Sequence, residues 1–379
     1  MTIEPYTFEL TPGQIDDLRQ RLDRTRWPDA LPDSGWNLGT NLDALQGLCR
    51  RWQTDFDFQS FLSRCNRFPQ FTTEALGQTI RFLHVRSPEP GARPLLLTHG
   101  WPGSVAEFWD VLGPLTDPVA HGLDPAGALH VVAPSLPGYG FSGPTTQPGW
   151  DIGRVADAFA ELMAALGYDR FFCQGGDWGS MVSSEISRRQ PSRVAALHLN
   201  LLVAPRLKDV PPTEEEEAQI ERSSAFLALE SAYQQIQGTK PQTLAYGLTD
   251  SPAGLAAWIL EKFQSWTGAA GLAEFAPDRL LDNLSVYWFT GTINSSMRLY
   301  YESIGPRNTG RRQGRPPSDV PTGFACYPGE PFNSPRRWIE AAYDIVRWSD
   351  MPRGGHFPAM QVPEDFVAEV SGFFAQRPL

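Results

Sequence analysis

Phe171-Phe172-Cys173-Gln174-Gly175-Gly176-Asp177-Trp178-Gly179-Ser180 is the stretch on which the reading of this chain turns. Phe171, Phe172 and Cys173 form a short apolar strand. Ser180 to Arg189, with Met181, Val182 and Ile186 at helical spacing, forms a helix that Pro191 stops. A strand must therefore hand over to a helix within one residue, and the glycines on either side avoid clashes in so sharp a turn. Such turns present a nucleophile, more often a serine hydroxyl; this one presents the carboxylate of Asp177.

Outward from this turn, strands are expected at Thr79 to Val85, Leu95 to Thr98, Leu129 to Ala133, Phe171 to Gln174 and Val194 to Leu202, alternating with helices such as Ile152 to Leu166. Continuous apolar runs such as Leu95-Leu96-Leu97 suit strands buried on both faces, so the expected architecture is α/β, a mainly parallel sheet flanked by helices. Active-site loops then belong at the carboxyl ends of the strands. Roughly the first 75 residues read as a helical, aromatic-studded prelude. Its first helix is announced by Thr11, Pro12 and Gln14 and ends near Trp27-Pro28, and its second runs from about Thr40 to Trp52. From about Pro205 to Arg315 the pattern is that of a helical insertion, with Gly305 to Pro317 as an exposed return linker. Strands return at Thr322 to Tyr327 and Ile345 to Trp348, before a final helix carrying Phe366, Val370 and Phe374.

The 379 residues suffice for a large core, and the net charge of -11 argues against a nucleic-acid surface, which draws affinity from Lys and Arg on phosphates. Four scattered cysteines without CxxC spacing favour free thiols and a cytoplasmic setting. No stretch reaches the roughly 20 apolar residues of a membrane helix, so no stable membrane insertion is expected. A homodimer is the expected oligomeric state.

A carboxylate is ionised at neutral pH and attacks without a general base, so Asp177 suits displacement at an electrophilic sp³ carbon. The resulting alkyl ester must then be hydrolysed by an activated water, and that step needs a base. His356, in Gly354-Gly355-His356-Phe357-Pro358, follows the last strand, where the histidine of such a sheet belongs. The acid that orients it is expected between the two, and Glu330 in Tyr327-Pro328-Gly329-Glu330 directly follows a strand; Asp344 and Asp350 compete from the final strand itself. The loop His99 to Ser104, through the backbone N–H of Trp101, and the N–H of Trp178 are the expected oxyanion hole. If the electrophile is an epoxide, a tyrosine hydroxyl can assist the opening ring, and the insertion supplies Tyr233, Tyr246, Tyr287, Tyr300 and Tyr301.

With these residues in place, the chain resembles the microsomal-type epoxide hydrolases along nearly its whole length. The resemblance rests on Leu18-Arg19 with Thr25-Arg26-Trp27-Pro28, Asn66 with Phe68 to Thr72, His99 to Ser104, Gly175 to Ser180, Lys262-Phe263 with Trp266-Thr267, Tyr287-Trp288 with Gly291-Thr292, and Arg353 to Phe357. It implies an α/β-hydrolase fold divided into an N-terminal wrapping region (1–78), a core in two parts (79–205 and 318–379) and a helical cap (206–317). It also implies Asp177 as nucleophile, Glu330 and His356 as the water-activating pair, Tyr233 and Tyr300 as the epoxide-oxygen donors, and an epoxide and water as substrates without metal or cofactor. Trp101, Trp178 and Trp288 are the expected pocket walls. Two departures stand out. Animal members begin with a membrane anchor, whereas this chain starts almost directly at the wrapping region, and Pro331 follows Glu330 where the family has an aliphatic residue.

Plainer readings exist for each residue. Asp177 suits a helix N-cap, His356 a surface loop, and the cap tyrosines ordinary core. Two other functions share the pattern: a haloalkane-type dehalogenase using the same aspartate, and a hydrolase fold that only binds a small molecule.

Overall fold

The structure, a computed structural model, describes residues 1–207, 210–306 and 318–379; the expected return linker lies outside the described residues from 307 onward. Among the described residues nine strands form one sheet: β1 (Glu4–Pro5), β2 (Gln70–Ala75), β3 (Gln78–Val85), β4 (Arg93–Thr98), β5 (Leu129–Pro134), β6 (Phe171–Gly175), β7 (Val194–Leu199), β8 (Ser318–Cys326) and β9 (Tyr343–Asp350). Their order is β1-β2-β3-β5-β4-β6-β7-β8-β9. From β5 to β9 every pairing is parallel, and β1, β2 and β3 add an antiparallel edge. Every residue of β6 and β7 is buried, as two-sided cover by helices requires. This is the α/β-hydrolase fold.

The order reverses at β4, which has β5 on one side and β6 on the other. Crevices at such switch points, beyond the carboxyl ends of the strands, are where ligands bind. Leu97 pairs with Gln174 and Thr98 with Gly175, so the loop after β4 and the turn after β6 leave the sheet side by side.

Three expectations are corrected. The prelude is not wholly helical: β2 and β3 form a hairpin whose two-residue turn, Leu76-Gly77, has positive φ at both positions (50° and 76°), the twist that tight hairpins need. The first helix, Pro12–Asp23, carries the expected capping box but ends a turn before Trp27. Strand β7 is shorter than expected and stops at Leu199; beyond it the Asn200 N–H keeps one long bond to Gly175 O (3.4 Å) and its side chain accepts from Gln174 Nε2.

Among the described residues, six α-helices lie between β7 and β8 and are called the cap here: Glu214–Glu230, Ala232–Thr239, Pro241–Asp250, Pro252–Ser265, Pro277–Thr290 and Ile293–Ile304. Three of them start with proline, whose fixed φ and missing N–H suit a first turn. The N-terminal helices grip this cap. Arg64 makes a two-pronged bond to the buried Asp282 (2.8 and 2.6 Å), Trp52 Nε1 donates to Ser285 Oγ (2.9 Å), and Arg51 pairs with Asp278 (2.7 Å). Asn66 ties the amino terminus down, accepting from Phe8 N–H and donating to Phe8 O, both at 2.9 Å. No helix among the described residues is long and apolar enough to cross a membrane.

Candidate active site

Asp177 opens the helix Asp177–Arg189 with a φ of 47°, a left-handed backbone that costs a non-glycine residue energy and marks a built turn. The glycines around it are dictated by space. A Cβ on Gly175 would lie 2.3 Å from Gly179 C, one on Gly179 would lie 1.9 Å from Thr98 O, and one on Gly100 would lie 2.3 Å from Asp177 Cβ. The helix N-cap is Gly176, not Asp177, so the carboxylate is not spent on capping. Instead its Oδ1 accepts the Trp101 N–H at 2.8 Å and its Oδ2 lies 3.5 Å from His356 Nε2.

The loop that carries Trp101 is held from two directions. Below it, His99 Nδ1–H donates to Gly100 O (3.0 Å) and Nε2 accepts from Leu136 N–H (3.1 Å), a pattern that fits the neutral ring; burial pushes this imidazole down to about 4. Above it, the cap helix Pro277–Thr290 sends Asn283 Nδ2 to Pro102 O (2.9 Å) and the Tyr287 hydroxyl to Gly103 O (2.7 Å). Trp178 N–H belongs to the first turn of the helix, where backbone donors have no intrahelical acceptor.

Glu330 and His356 come from the loops after β8 and β9. His356 Nδ1–H donates to Glu330 Oε2 at 2.8 Å, and Glu330 Oε1 accepts Phe332 N–H at 3.1 Å. Pro331 has no N–H to offer, so the first donor beyond it takes the second oxygen. The histidine loop is pinned by His356 N–H to Trp266 O (3.0 Å) and by Gln361 Oε1, which accepts from Gly355 and Phe357. Burial alone would lower the His356 imidazole, but the carboxylates of Glu330 and Asp177 outweigh it and hold the group up at about 10. Asp344 and Asp350 are exposed on β9, and Asp350 accepts from Trp348 Nε1 instead.

The cap lays an aromatic box over this trio. Tyr233 stacks on Trp101 (ring centres 5.3 Å, planes 6° apart), and Tyr300 meets Trp178 edge-on at 4.7 Å; the two tyrosine rings are 5.8 Å apart and their hydroxyls interact. Burial raises both phenols above their usual range, so both are neutral donors. Tyr301 instead lines a separate groove with Lys240 and Glu302, and Tyr246 is exposed. Trp288 is set apart from the box: the Arg21 guanidinium of the first helix lies 5.9 Å over its ring.

Three neighbours were not singled out for the site from the sequence. Trp266 packs on Tyr233 and His356 (5.2 and 4.7 Å), and Phe332 lies 5.9 Å from His356. Glu107 lines, with Asp177 and His356, a cavity of about 20 Å³. Its sequence signal was a lone acid inside the apolar run Val105-Ala106-Glu107-Phe108-Trp109, since an unpaired acid is rarely buried without a task.

A carboxylate on a strained strand-to-helix turn, beside a backbone donor and facing a carboxylate-bound histidine, defines an α/β-hydrolase-fold enzyme. Known proteins give its family. Residues 3–108 match the family described as Epoxide hydrolase N terminus, and residues 93–242 match the alpha/beta hydrolase fold. The chain is 43% identical over 379 residues to a putative epoxide hydrolase of Stigmatella aurantiaca (99% of this chain, 85% of that protein). It is 37% identical over 402 residues to Epoxide hydrolase 1 of Oryctolagus cuniculus (98% and 88%). Among solved structures it resembles juvenile hormone epoxide hydrolase of the silkworm Bombyx mori (TM-score 0.90, 33% identity, 98% and 95% covered) and an Aspergillus niger epoxide hydrolase (0.88, 30%, 99% and 97%). The chain belongs to the epoxide hydrolase family.

Proposed function

We propose that the protein converts an epoxide to a vicinal diol in two steps through an ester on Asp177. The observation that carries this reading is the placement of one carboxylate between a backbone donor at 2.8 Å and a histidine nitrogen at 3.5 Å. In the first step Asp177 Oδ2 attacks a ring carbon, the C–O bond opens, and Tyr233 and Tyr300 donate to the departing oxygen. In the second, water attacks Asp177 Cγ while His356 Nε2 takes its proton, and the oxyanion rests on the N–H groups of Trp101 and Trp178.

Electrostatics orders the two steps. With Asp177 ionised, the imidazole is held in its charged form and cannot act as a base. Esterification cancels the Asp177 charge and removes its upward pull on His356, leaving Glu330 alone to orient and support the ring. The imidazolium then gives up its proton to balance the one taken by the epoxide oxygen through the tyrosines, so the ring is a neutral base when an ester exists to be hydrolysed.

A haloalkane-type reading finds one supporting observation: the buried indole N–H of Trp101 has no acceptor among the described residues, and such a donor suits a halide, whereas the Trp178 indole reaches the Tyr300 hydroxyl. The paired tyrosine hydroxyls favour oxygen. The test is His356→Gln incubated with an epoxide: intact mass is expected to rise by the mass of the epoxide as ester accumulates. Absence of an adduct for every epoxide that the unaltered enzyme consumes rejects the two-step route, and chloride release with inert epoxides selects the halide reading.

A further inference from the structure

Glu107 is a carboxyl group without a role in the mechanism above. It sits on the short helical turn Val105–Phe108, just after the loop that carries Trp101, and only 9% of the residue is exposed. Its side chain folds back over the loop: a Cβ on Gly103 would lie 1.5 Å from Glu107 Oε1, so glycine is required there for the carboxyl to take this position. The Gly103 carbonyl is fixed in turn by the Tyr287 hydroxyl at 2.7 Å. The position of Glu107 is therefore built by both the core loop and the cap helix.

The cavity it lines has a polar side set against apolar walls that include Phe108, Phe357 and Phe366. Thr98, Gln174, Asn200, Asp177 and His356 share its wall, and its volume of about 20 Å³ is that of a site for one water molecule. Thr98 Oγ1 and Gln174 Oε1 are buried on this wall and have no hydrogen-bond partner among the described residues, and His356 Nε2 is buried there with the Asp177 carboxylate 3.5 Å away. An ordered water in such a site needs two to four polar partners, and these atoms with the Glu107 carboxyl supply them.

We infer that Glu107 is a water-positioning residue, holding the hydrolytic water in this cavity between its carboxyl group and His356 Nε2. The inference rests on the two-step reading. In the step it serves, the water oxygen bonds to Asp177 Cγ as one of its protons passes to His356 Nε2. The bond from Cγ to the alkyl oxygen then breaks, and that oxygen leaves with the proton from His356 as the diol hydroxyl. The second water proton, left on the Asp177 carboxyl, passes to His356, which restores the Asp177 carboxylate beside a charged ring, and Glu107 gains and loses no proton overall.

Burial and the charge of Asp177 raise the Glu107 carboxyl to about 8, while the His356 cation pulls it down. Before alkylation Glu107 is thus a neutral acid that can both donate to and accept from a water. His99 and Tyr287, also close by, stay uncharged, so Asp177 and His356 are the charged groups facing it.

The test is single-turnover kinetics on Glu107→Gln, which keeps the shape but not the carboxyl, read by tryptophan fluorescence and by intact mass. Ester hydrolysis is expected to slow roughly tenfold, the scale of one well-placed hydrogen bond to a reacting group, with the alkylation rate unchanged and ester accumulating in the steady state. Glu107→Asp, which restores a carboxyl at shorter reach, is expected to recover part of the loss. Hydrolysis at the original rate, or an equal loss in both steps, overturns the role. Failure of the unaltered enzyme to form an ester with any epoxide overturns the two-step reading itself, and this role with it.

Discussion

His356 Nδ1 and Glu330 Oε2 stand 2.8 Å apart with side chains 2% and 0% exposed, so the imidazole is held by a carboxylate that solvent barely screens. Replacing Glu330 with Gln removes the charge that raises the ring while leaving a side chain of the same size. Ester hydrolysis is expected to fall by roughly 10²- to 10⁴-fold, the usual worth of a positioned base, with the rising limb of its pH profile moved to lower pH. Quenched-flow measurement of the ester across pH checks both parts, and an unmoved limb counts against this pairing.

Tyr233 and Tyr300 face each other across the same space, and each is expected to carry part of the charge on the opening epoxide. Tyr233→Phe and Tyr300→Phe should each slow alkylation by roughly 10²-fold, as for loss of one donor to a developing oxyanion, and leave ester hydrolysis untouched. Tyr301→Phe should leave alkylation unchanged, because Tyr301 lines a different groove. Stopped-flow fluorescence during the first turnover distinguishes the three.

Asp282 is 1% exposed and takes both prongs of Arg64, with Arg279 at 3.2 Å as a second partner. Arg64→Met leaves that buried carboxylate short of a charge partner, and a loss of about 3 kcal/mol is expected. Urea unfolding measures it. A loss under half that figure would mean that Arg279 suffices.

Glu107 also makes a prediction about stability. A carboxyl raised from 4.5 to about 8 binds its proton more tightly in the folded chain, so its contribution is full below pH about 4.5 and is lost as pH rises towards 8. Burial sets this shift, and of the charged groups facing the carboxyl the His356 cation opposes it while Asp177 adds to it. Glu107→Gln has no such titration, so its stability relative to the unaltered protein should climb between pH 5 and pH 8. Paired unfolding curves at the two pH values give the answer, and parallel behaviour would refute it.

Much of the fold was legible because its signals are local. The glycines around Asp177, the apolar runs of β4 to β7 and the capping box at Thr11 act within a few residues of themselves. The β2–β3 hairpin was not legible, because its two-residue turn uses Leu76 at positive φ, a conformation that sequence rules assign to Asn, Asp or Gly. The order of nucleophile, acid and histidine along the chain was legible too. It pointed to Glu330 over Asp344 and Asp350, and the geometry brings Glu330 to His356.

The sequence by itself determined that a carboxylate stands on a strand-to-helix turn, that a histidine follows the last strand, and which family the motifs resemble. Only the tertiary structure decided that Tyr301 lines a separate groove, that Trp288 lies apart from the box while Trp266 completes it, and that Glu107 lines the cavity shared by Asp177 and His356. The reason is physical. A turn is fixed by the steric limits of a few adjacent residues, whereas these contacts join segments far apart in the chain and exist only where cap, core and N-terminal helices are packed together.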